Sequence, residues 1–376
     1  MKVIQVVPGI GDEAAGPSYS VPMLCQALHD NGAEVDVHVL CSSPSTTRSY
    51  QVRLYRHHTF PFRGLGRSPE MLAGLRLACQ SADIIQTNSL WMMPNIYPAW
   101  AKKGTTCKLV IAPRGTLAAW SLKRSWLKKK LIGWCGQYAA LRAADMFYAT
   151  CQKEYEEIRA CGYRQPVAIV PIGMDIPAVE HKASPGLRHI LFFGRLHEVK
   201  AVDHLILAWK QVADKFPDWD LQIAGPDAGD KPRLERIVRE ADVPRARFLG
   251  EFSGHDKYKL LASADLYVLP SKTENFAVTV AEALASGTPV IASSGTPWNG
   301  LDAHMCGWWG FKDEASLAAV LNRALSLDRP TLETMGRNGI QWIQDDFNWS
   351  AIGRQTLAAY EWLLHGGSTP SCVISE

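Results

Sequence analysis

Pro270–Ser293, PSKTENFAVTVAEALASGTPVIAS, is the stretch from which the rest of the chain can be read. It continues a short apolar run, Ala264–Pro270 (ADLYVLP), that ends in proline, the pattern of a strand buried on both faces of a parallel sheet. Ser271–Asn275 is polar and reads as a loop. Phe276–Ala285 has helix-compatible composition and stops at Ser286-Gly287, and Thr288–Ala292 is a second short apolar strand.

Two carboxylates bracket this helix. Glu274 stands before the first turn and Glu282 inside it, a backbone separation of roughly 12 Å at helical rise. Between them lie the free amides of the helix N-terminus, expected around Asn275–Val278, which with the helix dipole favour an anion and above all a phosphate. The order acceptor, anion site, acceptor matches the hydroxyls, diphosphate and hydroxyls of a nucleoside diphosphate sugar. A helix start with one N-terminal acid and one solvated glutamate fits the same spacing, so spacing alone leaves both readings open.

The wording of the segment adds a resemblance. Pro270, Ser271, Glu274, Phe276, Glu282, Ala283, Ala285, Gly287, Pro289, Val290 and Ile291 fit the glutamate-x7-glutamate motif of the retaining glycosyltransferases of family 4, which have the GT-B fold. Ala277 stands where that family commonly has glycine. The resemblance implies an α/β protein of two doubly wound, Rossmann-like domains facing across a cleft, with a C-terminal helix crossing back to the first domain. It implies Glu274 on the sugar hydroxyls, Glu282 on the ribose diol, and Asn275, Phe276 and Ala277 on the sugar and phosphate.

Composition agrees with this size of protein. The 376 residues suffice for two domains, and 47% hydrophobic with 20% charged residues is ordinary for a globular chain. No apolar run approaches the length that spans a bilayer, and MKVIQVVPG is too brief for a signal-peptide core. The nine cysteines show neither a C-x-x-C pair nor metal-ligand spacing, which predicts reduced thiols in a cytoplasmic protein. The charge is uneven: the first 180 residues carry 20 Lys and Arg against 13 Asp and Glu, the remainder 20 against 24. A basic first half invites an anionic partner such as a lipid surface, a phosphorylated acceptor or a nucleic acid.

From the N-terminus, KVIQVVP, a small-residue loop, a helix through VPMLCQALHDNG and the strand VDVHVL open a doubly wound sheet. Gly16-Pro17 falls where the first helix begins, at the carboxyl edge that faces the ligand in such folds. The family usually has Gly-Gly there, and an N-cap by Ser18 is the plainer reading. Residues 45–70 are irregular and rich in Arg, His and Pro, with His57 and His58 read as surface residues. Pro113-Arg114-Gly115 closes another strand at the place of a family His-Gly. Arg114 could bind a phosphate or the leaving group or make an interdomain ion pair. Ser121–Trp134, SLKRSWLKKKLIGW, reads as one basic amphipathic helix with tryptophans, suited to a membrane surface, or as a surface helix with a solvated lysine face. No nucleic-acid motif accompanies it.

The interdomain linker is expected within 173–187, dividing an acceptor-binding domain (1–175, with 350–376) from a nucleotide-sugar domain (186–349). Gly194–Lys200 resembles the family's G-R-x4-K-G, with Ala201 at the usual glycine, which implies Arg195 and Lys200 on the diphosphate. The loop Leu249–Phe252 resembles an F-x-G-x-F element beside the nucleobase. The tail GGSTPSCVISE is expected to be frayed.

The function so implied is retaining transfer of a sugar from a nucleoside diphosphate sugar to a hydroxyl, with no resident metal or cofactor. A guanosine diphosphate sugar, mannose or a 6-deoxy sugar, is favoured as donor, and a lipid-linked glycan of surface-polysaccharide assembly as acceptor. The site would lie on the inner face of the cytoplasmic membrane. A sugar-nucleotide epimerase of the same fold and a non-catalytic sugar-nucleotide scaffold are the alternatives.

Overall fold

The computed structural model describes residues 1–10, 16–40, 49–58, 64–179 and 186–375. Parts of the first loop (11–15), of the 45–70 stretch and of the expected linker (180–185) lie outside the described residues. The chain divides into two compact units, Met1–Gly173 with Trp349–Glu376, and Met174–Asn348.

Among the described residues the first unit holds strands β1 (Lys2–Val7), β2 (Glu34–Leu40), β3 (Gln51–Tyr55), β4 (Ile84–Asn88), β5 (Lys108–Ala112), β6 (Met146–Ala149) and β7 (Val167–Ile169). The second holds β8 (Arg188–Phe193), β9 (Trp219–Ala224), β10 (Ala246–Gly250), β11 (Leu266–Leu269), β12 (Val290–Ser293) and β13 (Gly307–Phe311), and the chain returns to the first with β14 (Val373–Ile374). The sheet orders are β14-β7-β6-β5-β4-β1-β2-β3 and β10-β9-β8-β11-β12-β13. Every pairing is parallel except β14 on β7.

Both sheets reverse strand order once, between β1 and β4 and between β8 and β11. In a doubly wound sheet that reversal opens a crevice at the carboxyl ends of the two strands, where ligands bind. The strands β4, β11 and β12 are buried along their length, and each buried Val, Leu or Ile contributes about 1.5–3 kcal/mol; β4 (IIQTN) also buries three polar side chains, Gln86, Thr87 and Asn88. The helix Trp349–His365 lies against the helix Gly16–Asp30. Gly353 permits the approach, since a Cβ there would stand 2.7 Å from the Ala27 carbonyl oxygen.

The structure corrects several local expectations. Residues 51–55 are not irregular: they form β3, an edge strand paired in parallel with β2. The C-terminal tail is not frayed, because Val373 and Ile374 pair with β7 and the Ile169 amide donates to the Cys372 carbonyl at 2.6 Å. The first helix begins at Gly16, so Ser18 lies in its first turn and not at its cap. His58, by contrast, is exposed as expected, with Glu70 at 3.3 Å. Ser121–Trp134 is not one helix. It splits into Ala119–Lys123 and Trp126–Ile132 at Ser125, whose φ of 55° breaks the hydrogen-bond ladder, and Trp134 falls in a π-helical turn, Gly133–Gln137.

Candidate functional site

In the second unit, the loops after β8 and β11 meet at the strand-order reversal. The amide of Lys272 donates to the Val199 carbonyl at 2.8 Å, joining them directly. The β11 loop is held from its other side as well. Ser293 Oγ donates to the Ser271 carbonyl at 2.5 Å, and the Glu274 amide to the Gly295 carbonyl at 2.9 Å. Gly295 must be glycine for this, because a Cβ would lie 2.4 Å from the Lys272 carbonyl oxygen.

On this frame Lys200 Nζ and Glu274 Oε1 form an ion pair at 2.6 Å, both side chains mostly buried. Lys200 closes a short 3-10 turn, Glu198–Lys200, and Ala201 follows in the left-handed region at φ 49°. Arg195 is exposed on the same loop. The helix begins at Val278 with Ala277 as its cap at φ 61°. The amides of Ala277, Val278 and Thr279 at this helix start find no backbone acceptor among the described residues. These overlap the expected Asn275–Val278 at Ala277 and Val278. The Glu274 amide is spent on Gly295 and the Phe276 carbonyl on Trp298. Both left-handed alanines, Ala201 and Ala277, stand where glycine is the low-strain residue.

Glu282 lies within the helix, 5% exposed, and its carboxylate accepts from Lys257 Nζ at 2.6 Å. Burial raises its carboxyl above the ordinary carboxylate range, and Lys257 draws it part of the way back. Lys257, on the helix Gly254–Ser263, was not singled out in the sequence, since a lysine among polar helix residues gives no local signal. Leu249 is part of β10 and not of a loop: the strand slips register between Phe248 and Gly250, and Phe252 follows it, partly buried.

In the first unit, Gly16 and Pro17 open the first helix after β1, and Arg114 follows β5 at φ 55°. Arg114 donates to Asn88 Oδ1 at 3.1 Å, and its guanidinium lies 5.6 Å from the Tyr148 ring centre. It is not drawn into an ion pair among the described residues. The turn is clamped by Glu154, fully buried, which accepts the Gly115 amide at 2.7 Å and the Thr150 amide at 2.7 Å. Beneath Asn88 runs a buried neutral network. Asn88 donates to Gln5, Gln5 to Tyr360, and Tyr360 to Gln86 at 2.6 Å. Gln5, Asn88, Glu154 and Tyr360 carried no sequence signal, because the contacts that define them join segments far apart in the chain.

Two family descriptions match the chain: "Glycosyl transferase 4-like domain" over residues 15–173 and "Glycosyl transferases group 1" over residues 178–342. The chain belongs to the family 4 type of glycosyltransferase. An uncharacterized glycosyltransferase of Methanocaldococcus jannaschii is 33% identical over 176 residues, 46% of this chain and 44% of its own. A lipopolysaccharide core biosynthesis mannosyltransferase of Rhizobium meliloti is 28% identical over 189 residues, 48% of this chain and 53% of its own. The family 4 chain thus spans about half the length of these curated relatives. The structure of Anabaena HepE in complex with UDP-glucose matches with a TM-score of 0.72 at 19% identity, covering 96% of this chain and 100% of its own. That likeness is one of fold, the two Rossmann-like sheets of GT-B proteins.

Proposed function

We propose that this family 4 chain transfers a sugar, with retention, from a nucleoside diphosphate sugar to a hydroxyl of a lipid-linked glycan in surface-polysaccharide assembly. The observation that carries the reading is the Lys200–Glu274 pair beside the open amides of Ala277–Thr279, at the strand-order reversal of the second sheet. Arg195, Lys200 and these amides meet the diphosphate and stabilise the charge that develops as it leaves. Glu274 accepts from sugar hydroxyls and Glu282 from the ribose diol, with Asn275, Phe276, Leu249 and Phe252 lining the donor. The acceptor oxygen bonds to the anomeric carbon as the bond to phosphate breaks, and a phosphate oxygen takes the acceptor proton. No resident metal takes part in this scheme. The first unit, with its C-terminal helix, serves the acceptor and the second the nucleotide sugar.

The surface of residues 119–134 supports a membrane-facing acceptor. Trp126, Leu127, Leu131 and Trp134 are each more than half exposed, and Lys130 Nζ lies 5.8 and 5.2 Å from the Trp126 and Trp134 ring centres. Exposed aromatic and aliphatic side chains interleaved with lysine suit an anionic lipid interface. No described helix is long and apolar enough to cross a membrane. Sedimentation with anionic but not with neutral phospholipid vesicles is the expected result, and indifference to both would remove this part of the reading.

Thermal shift with UDP, GDP, ADP and their sugars tests the donor site. The mannosyltransferase relative supports a mannose donor, and the fold neighbour solved with UDP-glucose supports a uridine one. One nucleotide should raise the melting temperature of the wild type and not of Glu282→Gln, and product analysis with its sugar should show transfer. A folded protein that responds to none of them would overturn the assignment.

A further inference from the structure

The peptide between Phe276 and Ala277 is held from below by an indole. Trp298, 2% exposed, donates its Nε1–H to the Phe276 carbonyl at 2.6 Å. The indole is itself immobilised. Its ring lies 5.3 Å from that of Phe276, 5.2 Å from that of Phe347 and 5.4 Å from that of Trp342. Trp342 is fixed in turn by its Nε1–H on Asp346 at 2.9 Å.

A trans peptide points its N–H opposite to its C=O. With the Phe276 carbonyl turned into the aromatic cluster, the Ala277 N–H must turn away from it. That orientation requires Ala277 at φ 61°, which costs an alanine about 1–2 kcal/mol. Without the indole N–H, the buried carbonyl would lose its donor and the alanine would gain by rotating the peptide to negative φ. We propose that Trp298 is a positioning residue: its N–H locks the Phe276–Ala277 peptide so that the Ala277 amide joins those of Val278 and Thr279 in facing the donor diphosphate. The inference rests on the donor-site reading above and adds a residue outside the motif that defines that site.

The test is a pairing of substitutions read by nucleoside diphosphate affinity, with UDP and GDP as probes in calorimetric titration. W298F keeps an aromatic ring in the cluster and removes only the donor. It should weaken binding about tenfold, as the loss of one hydrogen bond to a charged group does. A277G removes the strain that drives the peptide to rotate. In the glycine background the same W298F change should therefore cost less than about threefold. A merely structural role of the indole would give equal losses in both backgrounds. Equal losses, or a W298F protein that binds as the wild type does, would overturn the lock. Should W298F fail to fold, the comparison of W298F/A277G with A277G stands alone: binding within threefold supports the lock, and a tenfold loss overturns it. Wild-type protein that binds neither nucleotide overturns the donor-site reading and the lock with it. Normal wild-type binding with unequal predictions unmet overturns the lock alone.

Discussion

The two sheets share a topology and differ in how they hold the loops at their carboxyl ends. In the second, the ion pair Lys200–Glu274 fastens the loop after β8 to the loop after β11, and Lys257–Glu282 ties the helix after β10 to the helix after β11, on a frame of backbone hydrogen bonds. In the first, the turn at Arg114 is clamped by one buried carboxylate, Glu154, which accepts two backbone amides, and rests on the neutral chain of Asn88, Gln5, Tyr360 and Gln86. Paired charges can be rearranged around an incoming anion, and their lysines supply the counter-charge for a diphosphate. A fully satisfied neutral network is stiff and selects by geometry, which suits a hydroxyl-bearing ligand. One sheet end is built to meet charge and the other to hold shape.

This contrast can be broken by substitution. Glu282→Gln should lower transfer by about 10²-fold, the scale of losing hydrogen bonds from the ribose diol to a charged group, while the protein keeps its far-ultraviolet circular dichroism. Near-normal turnover would detach Glu282 from the donor. Next in size, Lys257→Met leaves a buried carboxylate without its cation and should cost about 3 kcal/mol at pH 8. Because burial already raises the Glu282 carboxyl, the folded state holds its proton more tightly than the unfolded chain. Stability from this group is complete below the unfolded value and is lost as pH rises through the folded one. The Lys257→Met deficit in urea denaturation should therefore shrink towards pH 5. A deficit independent of pH would mean that Lys257 acts by packing alone.

Smaller effects sharpen the first sheet's side of the comparison. Glu154→Gln presents an amide to the Thr150 N–H and Oγ–H, which now share one carboxylate oxygen, and should cost about 1–3 kcal/mol for the stranded donor. It should also lower transfer by loosening the Arg114 turn, and its denaturation midpoint is the check. An unchanged midpoint would show that the clamp carries no stability. Last, Ala201→Gly should stabilise by roughly 0.5–1 kcal/mol, the left-handed strain less the added chain entropy. A loss of stability would show that the Ala201 methyl, which is fully buried, contributes more by packing than it costs.

The parts of the site legible in the sequence were those carried by local pattern. Glu274, Glu282, Arg195 and Lys200 stood out because strand, loop and helix follow one another within a few residues and match a family wording. Lys257 and Trp298 hold the motif from outside it, at Glu282 and at Phe276. Trp298 falls in a run rich in Gly and Trp, GTPWNGLDAHMCGWW, which carries no local sign of a hydrogen bond to Phe276. The break at Ser125 was also hidden, since residues 121–134 keep apolar side chains at helical spacing across it while the backbone leaves the helix.

What the sequence determined by itself was the α/β class, the two repeats of strand and helix, and the glutamate-bracketed helix after β11. Each follows from periodicity and from stop signals that act over a few residues. The tertiary structure decided the pairing of Lys257 with Glu282, the indole beneath Ala277, the Glu154 clamp and the return of the tail to β7. These depend on which distant groups share a low-dielectric interior. A buried charge, carbonyl or amide must find a partner there, and which one it finds is settled by packing.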